Sequence, residues 1–162
     1  MMTRLFKPNP PAIHGLQRDL DMLLSQLDTS GVRAALKFLN ARVAHRFTAV
    51  YKFHGDMLHA VFIYDKLNKP STGLNALTSA GSFSRFLTPT SPFCVTDSAT
   101  DERFAEHKHR GVIASYYGVL LPSGSLCHFD YAPQAMPAPE ECIFLNHARH
   151  LLLTRLKGFR WS

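Results

Sequence analysis

The sequence predicts an α+β domain built on an antiparallel sheet of five to six strands, on three observations. Residues 112–121 and 126–131 are the most apolar extended segments of the chain, and Pro122-Ser123-Gly124, a connection of about three residues, lies between them. A connection of that length and composition makes a tight hairpin, and so apolar a hairpin belongs in the middle of a sheet. Ahead of it, Leu16, Leu20, Leu23, Leu24 and Leu27 recur as one helical stripe, and after it Ile143, Phe144, Leu145, Ala148, Leu151 and Leu152 mark a closing helix. Helices at both ends of a run of strands point to the α+β class.

The elements follow in order. Residues 1–11 carry three prolines and read as an extended arm. The first helix runs from Pro11 or Ala12 to about Asp28, and Thr29 or Ser30 then caps a second helix with Val32, Ala35, Leu36, Leu39 and Val43 on one side. Phe47, Ala49, Tyr51 and Phe53 alternate with Thr48, Val50 and Lys52, the pattern of a half-buried strand. His54-Gly55-Asp56 turns the chain into residues 57–64, apolar on both faces and therefore covered on both. Residues 65–81 are a polar loop with Pro and Gly punctuation, residues 79–87 a short helix with Phe83, Phe86 and Leu87, and Pro92 onward a short strand and an acidic turn. Pro139-Glu140-Glu141 starts the last helix, with acids at its positive end, and Gly158 ends it. One domain over 12–158 and a tail over 159–162 complete the chain.

That last helix has a wide apolar arc, because Leu151, Leu152 and Leu153 point in three successive directions. It needs a second partner, either the first helix or the same helices of another subunit. The homodimer reading uses Leu16, Leu20, Leu23, Leu24 and Leu27 with Leu151, Leu152 and Leu153.

Composition narrows the function. No apolar run is long enough for a membrane span and the amino terminus lacks the pattern of a signal peptide, so a cytoplasmic protein is expected. Eighteen Lys and Arg against twelve Asp and Glu leave a net charge of +6. The cations are dispersed, without a basic block interleaved with aromatics, so nucleic acid is not the expected partner. Cys94, Cys127 and Cys142 are odd in number and far apart, which argues for buried free thiols over a disulfide or zinc framework. Among the nine histidines the closest sets are His107-x-His109, His128 and His147-x-x-His150, and the last, at helical spacing, lacks a carboxylate or Cys at ligand spacing. They are expected to titrate at the surface, and no metal is expected.

Val95-x-Asp97, Asp101-x-Arg103-Phe104, Ser115-Tyr116-x-Gly118-Val119-x-Leu121 and Gly124-x-Leu126-Cys127-x-Phe129-Asp130, in that order, resemble the second half of a GAF domain. The resemblance extends over roughly residues 15–157. It implies a GAF-like (profilin-like) sheet with the first two helices and the last on one face, and lid loops over the other. It further implies that the lid encloses a small-molecule site, lined here by Phe83, Phe86, Phe93 and Phe104, with Asp97, Ser115 and Tyr117 completing the candidate contacts. Asp97 also suits a turn that hydrogen-bonds its own backbone, with Arg103 offsetting Asp97 and Asp101.

Two branches of that family fit less well. The free methionine-(R)-sulfoxide reductases use lid cysteines, and here only Cys94 lies in the lid region, without an evident resolving partner. Bilin-binding members attach pigment through a Cys-His pair, but Glu106-His107-Lys108-His109-Arg110 has no cysteine, and Cys127-His128 on a strand would point to opposite faces. Haem through His107 or His109 is equally disfavoured. The cyclic-nucleotide signature is not placed beyond Asn68-Lys69. The expectation is a non-enzymatic sensory or regulatory module acting on a signalling partner in trans. A thiol-dependent reductase and an interaction domain with a self-filled pocket are the alternatives.

Overall fold

A computed structural model of the chain describes residues 10–54, 57–69, 76–78, 83–89, 91–106 and 113–156. Helices α1 (Pro10–Ser30) and α2 (Val32–Asn40) precede strands β1 (Phe47–His54), β2 (Met57–Asp65) and β3 (Ala76–Thr78). A 3₁₀ turn (Phe83–Phe86), strand β4 (Phe93–Val95) and a second 3₁₀ turn (Glu102–Phe104) lead to β5 (Ser115–Leu121), β6 (Gly124–Asp130) and α3 (Pro139–Leu156). The six strands form one sheet in the order β3-β2-β1-β6-β5-β4, with every pairing antiparallel. The fold class is as expected, α+β with a central antiparallel sheet.

The expected central hairpin is β5–β6, with two corrections. Its turn is the two residues Pro122-Ser123, since Leu121 already pairs with Gly124, and β5 begins at Ser115. Gly124 is required where it stands: a Cβ there would strike the carbonyl of Tyr51 on the neighbouring β1. Residues 76–78 within the expected loop pair with β2 as a short edge strand. Three residues are too few for a periodic signal, so only the neighbouring strand reveals it. Helix α1 starts at Pro10, inside the expected arm; the rest of the arm, the turn at 55–56, the loop at 70–75 and the tail lie outside the described residues.

The sheet separates two cores. On one side the three long helices bring Leu23, Leu27, Leu36, Leu39, Leu145 and Leu152 onto Val50, Tyr117, Val119 and Leu126. On the other, Phe83 and Phe104 pack on Phe47, Tyr51, Tyr116, Cys127 and Phe129. Strand alternation accounts for most of this division, and a bulge in β2 for the rest. Val50 pairs with Phe62 and Tyr51 with Ala60, which leaves Val61 unpaired, so Val61 and Phe62 both meet the helical core while Ala60 and Ile63 meet the other.

The second partner of α3 is α1 of the same chain. Leu23, Leu27 and Leu152, expected among the dimer contacts, are buried in the internal core, and Leu16, Leu20, Leu151 and Leu153 are partly buried against it. Arg155 pairs with Asp28 at 3.0 Å across the two helices. No helix among the described residues is long and apolar enough to cross a membrane.

Candidate functional site

Short, loop-borne segments cover the second face of the sheet. Phe83 and Phe86 come from the first 3₁₀ turn, Phe93 from β4 and Phe104 from the second 3₁₀ turn. Their rings converge: Phe83 and Phe104 meet edge to face at 4.8 Å, Phe86 stacks on Phe93 at 4.8 Å, and Phe104 sits 5.3 and 5.8 Å from those two. Tyr116 closes the floor 5.4 Å from Phe83. Edge-to-face and offset rings at such distances are attractive beyond the area they bury. Phe83 and Phe104 are buried, whereas Phe86 is 38% exposed and forms the rim.

Arg103 ties this lid to the sheet. Its guanidinium pairs with Asp101 at 2.6 Å, donates to the Cys94 carbonyl at 3.0 Å and lies 4.7 Å from the centre of the Phe93 ring. Asp101 also caps its own 3₁₀ turn through the Arg103 amide. Asp97 is spent on its turn, its carboxylate accepting from the Ala99 amide at 3.1 Å, and Arg103 answers Asp101. Ser98, buried beside it, donates to the Ile113 carbonyl at 2.6 Å and anchors the turn to the chain entering β5.

Of the seven expected contact residues, the four phenylalanines share one cluster. Tyr117 does not join them: Tyr116 faces the lid, so its neighbour points into the helical core, where its hydroxyl lies buried without a well-formed hydrogen bond. Ser115, of the same parity as Tyr117, donates its hydroxyl to the Ala132 carbonyl at 2.8 Å. Tyr116 is the lid residue that the alternation of β5 could have identified.

The helical face holds a polar seam that the sequence reading missed. Asn40, at the end of α2, donates to the His45 carbonyl and, at 2.9 Å, to the Thr48 hydroxyl. Thr48 in turn meets His128 Nδ1 at 2.6 Å. The Thr48 proton is best used on His128 Nδ1, which places the imidazole hydrogen on Nε2. The His45 ring stacks over His128 at 6.0 Å, and Lys66 donates its ammonium to the carbonyls of Asn40, Val43 and His45. Asp130 closes the seam by accepting from the amides of Arg46 and Ala132 and from Gln134.

Both imidazoles are buried and held neutral, which corrects the expectation of surface histidines at these two positions. Burial lowers His45 to about 4, with Asp130 opposing and Lys66 assisting. Burial lowers His128 to about 3, helped by the nearby His45 and Lys66. Asn40 Oδ1, His45 Nδ1 and His128 Nε2 have no hydrogen-bond partner among the described residues, and His45 lines a surface cleft of about 340 Å³ beside Arg42, Gln134 and Glu141. Arg42 bridges the helices there, binding Asp19 at 2.7 Å and Glu141 at 2.9 Å and covering the Phe144 ring at 3.7 Å. Burial raises the Glu141 carboxyl, and Arg42 works against that rise.

The three thiols sit on different elements, Cys94 on β4, Cys127 on β6 and Cys142 on α3. Cys127 packs in the lid-side core while His128 faces the helices, as alternation requires. Burial pushes the Cys127 thiol up to about 12 and raises that of Cys94. No three His, Cys, Asp or Glu among the described residues are grouped to hold a metal ion. His107 and His109 lie outside those residues.

No family model and no curated protein sequence matches the chain. Solved structures do match. The GAF domain of an Acinetobacter phosphoenolpyruvate-protein phosphotransferase is similar over 89% of this chain and 95% of its own, with a TM-score of 0.66 at 15% identity. Free methionine-R-sulfoxide reductase from Neisseria meningitidis, in complex with its substrate, is similar over 94% and 93%, with a TM-score of 0.66 at 13% identity. A phycoerythrobilin-bound GAF domain from a cyanobacterial phytochrome is similar over 87% and 94%, with a TM-score of 0.65 at 15% identity. The fold of the chain is therefore GAF-like, the fold shared by a phytochrome GAF domain and by a free methionine-R-sulfoxide reductase.

Proposed function

We propose that the chain is a non-enzymatic, ligand-responsive GAF-like module in which a small flat organic molecule binds on the lid face against Phe83, Phe86, Phe93 and Phe104. The observation that carries this reading is the convergence of four phenyl rings, from two 3₁₀ turns and the edge strand β4, onto one patch of the sheet. A ring system slipping between Phe86 and Phe93 would exchange one stacked contact for two, and the rim position of Phe86 gives it an entry. Asp97, Ser115 and Tyr117 are engaged elsewhere and take no part. The GAF-like neighbours include a bilin-bound domain, which supports a flat ligand on this architecture. Against thiol chemistry stand the burial of Cys127 and the raised thiol of Cys94.

The output passes to a partner in trans or through a homodimer formed by the outer faces of α1 and α3, where Met22 and Ile143 are exposed. Native mass spectrometry of freshly purified protein tests both parts. A retained organic ligand lost in Phe86→Ala supports the site, and a two-subunit mass supports the dimer. A bare monomer that a panel of aromatic metabolites does not stabilise would establish the self-filled pocket instead, since a ligand at 100 times its Kd adds about 2.7 kcal/mol.

A further inference from the structure

The basic side chains of this protein are unevenly answered. Arg42 is held by Asp19 and Glu141, Arg46 by Asp65, Arg103 by Asp101 and Arg155 by Asp28. Lys66 is spent on three backbone carbonyls. Arg33, Lys37 and Lys69 are exposed and have no carboxylate partner among the described residues, and all three line one cleft of about 390 Å³. Arg33 and Lys37 stand one turn apart on α2, and Lys69 arrives from the loop after β2.

Asp65 is the one acid in that lining, and its charge is already taken. Its two oxygens accept from Arg46 Nε and Nη2 at 2.8 and 2.9 Å, and from the amides of Leu67 and Lys69. The cleft is left with three unanswered positive charges. The start of α2 adds to them, because Gly31 offers no side chain to cap its amides and no acid stands in its first turn. Ala34 and Tyr64, on the helical side, supply apolar wall beside the cations.

We propose that this cleft, on the helical side of the sheet and separate from the lid, binds a small phosphate-bearing molecule. Arg33 presents the planar fork that grips phosphate oxygens in pairs, and two ammonium groups and the open helix end complete a multiply charged receptor. The concavity has the size of small-molecule clefts, which run from roughly 300 to 1,000 Å³. A nucleic-acid strand would instead call for cations set out along a track, and Arg33, Lys37 and Lys69 meet at one spot. A bound phosphate would bridge α2 to the loop after β2.

The test is a titration of the ¹⁵N-labelled full chain with inorganic pyrophosphate and with adenosine 5′-monophosphate at fixed ionic strength. The proposal expects saturable shifts confined to amides of residues 30–37 and 63–69 with at least one probe. It expects Arg33→Gln combined with Lys37→Gln to weaken binding by about tenfold or more. Arg18→Gln, an exposed cation outside the cleft, leaves binding unchanged. Lys69→Ala, in the loop, gives the same loss without touching α2. Equal weakening by Arg18→Gln, shifts that never saturate, or tighter binding of single-stranded RNA or phosphatidylglycerol vesicles than of either small probe would overturn the proposal.

Discussion

The two faces of the sheet are built from different materials. The helical face is aliphatic, with Leu23, Leu36, Leu39, Leu126, Leu145 and Leu152 all inaccessible, and it is carried by three regular helices whose backbone hydrogen bonds are internal. The lid face is aromatic and is carried by two single 3₁₀ turns and a three-residue strand. A helix resists local opening because many bonds break together, whereas a single turn opens almost alone. The helical face is thus the stabilising half of the molecule. The lid face is held by fewer cooperative backbone bonds.

Four experiments would sharpen or break that contrast. The largest effect is expected in acid, and from the helical face alone. His45 and His128 have folded pKa values near 4 and 3, below the ordinary imidazole value of 6.5, so the unfolded chain takes up protons first. Their contribution is complete above pH 6.5 and falls as the pH drops toward 4, at a limiting slope of about 2.7 kcal/mol per pH unit for two protons. Urea unfolding across that range should reveal the slope, and His45→Gln with His128→Gln should flatten it; an unchanged slope would mean that the two imidazoles are hydrated in the folded protein.

Leu145→Ala removes an inaccessible side chain between α3 and the sheet and should cost about 3 kcal/mol in a denaturant melt. Arg42→Met should cost roughly 1–3 kcal/mol, because it leaves the buried Glu141 carboxylate without its cation while keeping cover over Phe144. Phe86→Ala, at the rim of the lid, should cost less than about 1 kcal/mol and still abolish retention of the lid ligand. If Phe86→Ala instead destabilised the chain as much as Leu145→Ala, the lid would be part of the stabilising core and the contrast between the faces would fail.

Much of the architecture was legible because it is periodic. The leucine stripe of α1, the alternation of Phe47, Ala49 and Tyr51 and the hairpin flanking Pro122-Ser123 each repeat a local geometry, and each element exists where its pattern placed it, with only its bounds shifted. The misses have local reasons. β3 is too short to show a period, and Val61 breaks the period of β2 by bulging. Tyr117 was assigned to the lid although the alternation that seats Tyr116 there turns Tyr117 to the helices.

The amino-acid order by itself determined the class of fold, the central hairpin and the aromatic identity of the lid, because spacing and side-chain type are properties of neighbours in sequence. Only the tertiary structure decided that Asn40, His45, Thr48, Lys66, His128 and Asp130 form one buried seam, and that Arg33, Lys37 and Lys69 meet in one cleft. Those groups come from separate elements, and whether a histidine is neutral or a lysine unanswered depends on what the folded chain sets beside it and how much water it removes.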